Sequence, residues 1–144
     1  KALSYLQKHN IYHTDLKIEN ILIKNINNIK LIDFTNYLII KNTFISIPKY
    51  TFGTLEYLAP ETYQGYYFNT SDIWSLGIII YLLITNKFLT KLSFKLTHEK
   101  IIRKINNIKN VSNELKDLLK NMLIMDPIER ITIKNCLKHK WFKK

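Results

Sequence analysis

Apolar residues recur at helical spacing through the second half of the chain and gather in short β-branched runs near its beginning. Lys1-Ala-Leu-Ser-Tyr-Leu-Gln-Lys-His-Asn10 places apolar side chains at 2, 3 and 6, which predicts the last turns of a helix cut off at residue 1. Ile21-Leu-Ile-Lys24 and Ile29-Lys-Leu-Ile-Asp33 predict two strands, joined as a hairpin by Asn25-Ile-Asn-Asn28. Residues 34 to 60 mix polar and apolar types without a period, the pattern of a long ordered loop.

From Ser71 the pattern becomes helical. Ser71 and Asp72 can cap a helix running through Trp74, Leu76 and Ile78-Ile-Ile-Tyr-Leu-Leu-Ile84, apolar nearly all round and so expected to be buried on all sides. Further helices are predicted over 94–106, from Ser112 through Leu123 with Asp126-Pro127 ending it, and over 133–142. The expected fold is mainly α, with two short strands, a long loop and then helices. No internal repeat or linker interrupts it.

Composition narrows the class. A chain of 144 residues with 47% hydrophobic content is enough for one domain with a core, burying roughly 70% of the unfolded surface without disulfides. The net charge is +11, yet Lys outnumbers Arg 20 to 2, beside 24 Ile and 15 Asn. A surface built for nucleic acid would favour bidentate Arg, so the basicity reads as compositional and nucleic acid is not the expected partner. The single Cys136 lies at helical spacing from Leu137 and Trp141 without metal-ligand spacing, and reads as a small buried hydrophobe in an intracellular, cytoplasmic protein. The nine-residue apolar run Leu76 to Ile84 is short of the about 20 residues a membrane span needs.

The chemistry-bearing stretch is His13-Thr-Asp-Leu-Lys-Ile-Glu-Asn20, with Asp33-Phe-Thr35 and Gly53-Thr-Leu-Glu-Tyr-Leu-Ala-Pro-Glu61 after it. Asp15, Lys17 and Asn20 lie on one tight loop before the hairpin, and Asp33 ends its second strand. Two carboxylates, an ammonium and a carboxamide would converge at one end of that hairpin. Oxygen ligands for a hard cation, a positive charge for a phosphate and a carboxylate to orient a hydroxyl suit Mg²⁺-assisted phosphate chemistry.

These motifs resemble the C-terminal lobe of a eukaryotic serine/threonine protein kinase nearly end to end. The family's H-R-D-x-x-x-x-N, D-F-G and A-P-E are matched by His13-Thr14-Asp15 with Asn20, by Asp33-Phe34-Thr35 and by Ala59-Pro60-Glu61. Asp72-Ile-Trp-Ser-Leu-Gly77 resembles the family's buried central helix. The resemblance implies a protein-kinase-like C-lobe with one β-hairpin and about five helices, residues 1–144 forming a partial kinase domain with catalytic loop 13–20 and activation segment 33–61. It implies ATP and Mg²⁺ as cofactors and a protein Ser or Thr hydroxyl as substrate. Asp15 would orient that hydroxyl and accept its proton, Lys17 would stabilise the transferring phosphoryl group, and Asn20 and Asp33 would hold Mg²⁺. Thr54 would bond Asp15 and Lys17. His13 would hold the loop, Asp72 would hold the loop backbone, and Glu61 would pair with Arg130. Thr43, Ser46, Tyr50 and Thr51 are candidate phosphosites, and the end of the chain looks loosely like the calcium/calmodulin-dependent branch.

Three departures stand out. Thr14 replaces the loop Arg that pairs with a phosphorylated segment, Thr35 replaces the D-F-G glycine, and Ile18 replaces a common Pro. No Gly-rich loop or Val-Ala-Ile-Lys strand precedes Asp15, so an N-terminal lobe is expected as a missing partner, with an exposed apolar face where it would sit. The lone chain is expected to be inactive. The alternative reading is a catalytically idle, pseudokinase-like scaffold.

Overall fold

The computed structural model describes residues 1–25, 28–48, 53–90 and 92–143. Helix α1 (Ala2–Lys8) leads through the left-handed Asn10 into β1 (Ile11–Tyr12), and a 3₁₀ turn at Ile18–Asn20 opens β2 (Ile21–Asn25). β2 pairs antiparallel with β3 (Asn28–Leu31), Ile21 opposite Leu31, which is the expected hairpin; the centre of its turn, 26–27, lies outside the described residues. The hairpin exposes Leu22, Ile23 and Ile29.

The stretch expected to be one loop contains two strands. β4 (Leu38–Ile39) pairs with β1, and β5 (Phe44–Ser46) pairs with β6 (Tyr66–Phe68), giving three two-stranded sheets among the described residues. Strands of two or three residues are too short to show a period, and only a partner distant in sequence completes their hydrogen bonds.

α2 (Ser71–Thr85) is the core of the helical part. Its N-cap is Thr70, with no side-chain cap bond, so Ser71 and Asp72 are not the caps expected of them. Ile73, Trp74 and Ile78 are fully buried, but Leu83 is 69% exposed, so the helix is buried at its start and middle and not all round. Asn86 in the left-handed region ends it, its amide returning to the Leu82 carbonyl at 2.8 Å.

α3 (His98–Asn106) begins four residues later than expected, after Thr97 caps it. α4 (Asn113–Met122) starts at the expected Ser112, whose hydroxyl accepts the Leu115 amide at 3.2 Å, and it stops before Asp126. The final helix breaks into α5 (Ile133–Cys136) and a 3₁₀ turn at Lys140–Phe142. α2 meets α4 across Gly77, where a Cβ would lie 2.9 Å from Leu123 Cδ2; the bare glycine is what permits the approach. Cys136 is buried as expected, and burial pushes its thiol up to about 11. Among the described residues no helix is long and apolar enough to cross a membrane.

Candidate active site

The loop between β1 and β2 is fixed from beneath by one carboxylate. Asp72, buried at the start of α2, accepts the His13 amide on Oδ2 at 2.9 Å and the Thr14 amide on Oδ1 at 3.2 Å. The Tyr67 hydroxyl donates to Oδ1 at 2.7 Å. Burial, and then the charge of Asp72, hold the Tyr67 hydroxyl well above its ordinary range, so it stays a donor. Asp72 is therefore spent on the loop, which is why it does not cap its own helix.

On this support the chemistry-bearing side chains meet. Lys17 Nζ lies 2.7 Å from Asp15 Oδ2 and donates to Thr54 Oγ1 at 3.0 Å, and the Thr54 hydroxyl donates to Asp15 Oδ1 at 2.9 Å. This triangle joins positions 39 apart in sequence. Gly53 makes it possible. With φ of 85°, it passes so near the loop that a Cβ would meet the Thr14 carbonyl at 2.9 Å, which brings Thr54 within reach of Asp15. The bond to Asp15 is the main cause that raises the Lys17 ammonium above its usual pKa, so Lys17 remains cationic.

Asn20 is buried and donates Nδ2 to the Asp15 carbonyl at 2.8 Å, while its own carbonyl accepts the Ile32 amide at 3.0 Å. That bond extends the β2–β3 pairing by one step and brings Asp33 to the same end of the hairpin as Asn20. Thr35 hydrogen bonds, through hydroxyl and then amide, hold the exposed Asp33 carboxyl below its usual range. Among the described residues no group of three or more His, Cys, Asp or Glu could hold a metal ion. Mg²⁺ that keeps its waters and phosphate oxygens needs only one or two protein oxygens. The carboxamide of Asn20 and the carboxylate of Asp33 are two such oxygen donors at one end of the hairpin and do not form a resident cage.

His13 is buried, with Nε2 2.8 Å from the Ile32 carbonyl and its ring 4.7 Å from that of Phe34. Glu61 and Arg130 form a bidentate pair away from this cluster, at 2.7 and 2.9 Å. Thr43 and Ser46 are exposed around β5, whereas Tyr50 and Thr51 lie outside the described residues. Sequence reasoning missed Tyr67, and it missed Ser71 as the donor to Glu61 Oε1 at 2.7 Å. Their one signal was proximity to Asp72 in sequence.

A family model described as protein kinase domain matches residues 1–142. The chain belongs to the protein kinase family. An Aurora kinase of Dictyostelium discoideum is 37% identical over 147 residues, which cover 99% of this chain and 37% of that protein. Protein kinase kin1 of Schizosaccharomyces pombe is 37% identical over 97% of the chain and 16% of its own length. Calcium-dependent protein kinase 4 of Plasmodium falciparum is 33% identical over 99% of the chain and 28% of its own length. This kinase chain thus spans well under half the length of these relatives, and identities so close to one another favour no one branch.

Proposed function

We propose that a protein containing this chain transfers the γ-phosphoryl group of ATP to Ser or Thr hydroxyls of a protein substrate, with Mg²⁺. The observation that carries the reading is the Asp15–Lys17–Thr54 triangle, which sets a carboxylate and a cation side by side at the end of the β2–β3 hairpin. Bound Mg·ATP would supply the phosphoryl group and neutralise its oxygens. Asp15, with lone pairs remaining beyond its two bonds, orients the substrate hydroxyl and takes its proton as the oxygen attacks. Lys17 offsets charge on the transferring group, and Thr54 fixes both. Asn20 and Asp33 supply protein oxygens to the metal. The residues that grip the phosphates from the other side in this family, a Gly-rich loop and a strand lysine, are not among the 144. Activity is therefore assigned to a protein that supplies them, and low turnover to the chain alone.

The test is phosphate transfer from ATP to a generic protein substrate by a protein that includes the chain. Asp15→Asn should lower kcat by about 10²–10⁴ without unfolding the protein. Transfer that survives this change would sink the reading. A second reading, an idle scaffold, is favoured by Thr14 and Thr35, and complete absence of transfer in a protein that includes the chain would support it.

A further inference from the structure

The two threonines that depart from the kinase pattern direct their hydroxyls to the same short stretch of chain. Thr14 is 3% exposed and sits at φ of 68°, a left-handed conformation that a β-branched residue adopts only when its surroundings hold it there. The surroundings are on hand. Asp72 fixes its amide, and its hydroxyl donates to the Asn36 carbonyl at 2.9 Å, across 22 positions. The Thr35 hydroxyl donates to Asp33 Oδ1 at 2.6 Å, and its amide reaches the same oxygen at 3.4 Å, with Asp33 itself at φ of 64°. His13 holds the carbonyl of Ile32 and the ring of Phe34 between these two contacts. Every residue from Ile32 to Asn36 is thereby tied, either to the loop beneath it or to its neighbour.

We propose that Thr14 and Thr35 are positioning residues for Asp33: Thr14 fastens the start of the activation segment to the catalytic loop, and Thr35 fixes one oxygen of Asp33. Oδ2 of Asp33 has no protein donor among the described residues and is left for a cation. The clamp is a property of the fold; only what Asp33 does with a metal rests on the function proposed above.

Hydrogen exchange across 35–40, with α2 as internal reference, reads the clamp without any activity. Thr14→Val keeps the shape and removes the hydroxyl. It should speed exchange there roughly tenfold relative to α2, and Thr14→Ser should restore the slow rate. In the protein that turns over, Thr35→Val should raise the KM for Mg²⁺ several-fold more than it lowers kcat, with Thr35→Ser restoring it. Unchanged exchange in Thr14→Val, or Ser variants no better than Val, would overturn the proposal. A protein that transfers no phosphate but shows the exchange pattern would overturn the kinase reading and support the clamp.

Discussion

Two ion pairs of the same length, 2.7 Å, do opposite work in this molecule. Arg130 and Glu61 are 0% and 5% exposed, and every N–H of the guanidinium has an acceptor. The guanidinium also reaches the carbonyls of Thr70, Ile124 and Met125, Ser71 donates to Glu61, and Trp74 lies 5.1 Å beneath Arg130. Lys17 and Asp15 are 22% and 14% exposed, held by Thr54 and partly open to solvent. A buried pair that is fully hydrogen-bonded fixes structure, since losing either partner strands a charge out of water. A partly exposed pair adds little to stability but keeps capacity for chemistry. Contact length does not separate the two roles; desolvation does.

The sharpest way to break this contrast is at the buried end. Arg130→Met leaves Glu61 charged and unpaired, and should cost about 3–5 kcal/mol, read as a fall in the urea midpoint. A loss below about 1 kcal/mol would make the two pairs equivalent. Next is the packing that carries the buried corner. Gly77→Ala drives a Cβ to 3.2 Å or less from Leu123 and Met122 and should cost about 1–3 kcal/mol, measured as a lower Tm. At the open pair, Lys17→Met should change stability by less than about 1 kcal/mol while lowering kcat of a phosphate-transferring protein that contains the chain by about 10² or more. The smallest effect is on pH dependence. Because Asp15 raises the Lys17 pKa, the pair's contribution is full below the unfolded value of 10.5 and is lost as pH rises through the higher folded one. Stability against denaturant, followed from pH 9 upward, should therefore fall slightly more in wild type than in Lys17→Met; parallel curves would mean that the pair adds no stability.

The helical half was legible where a cap and an apolar face coincide, as at Ser112 and α4. It was misread where residues serve distant partners. Asp72 looked like a cap because Asp commonly is one, but its oxygens go to a loop 58 and 59 positions away. β4 and β5 were invisible because strands so short are defined by the strands they meet.

The sequence by itself determined the family, the hairpin, and the residue types gathered around Asp15. Those depend on local spacing, which the order of residues records. Only the tertiary structure decided what Thr14, Thr35, Tyr67 and Ser71 touch, and which of two similar ion pairs is closed to solvent. Burial and long-range hydrogen bonds depend on which segments fold against each other, and a side chain's spacing along the chain carries no record of that.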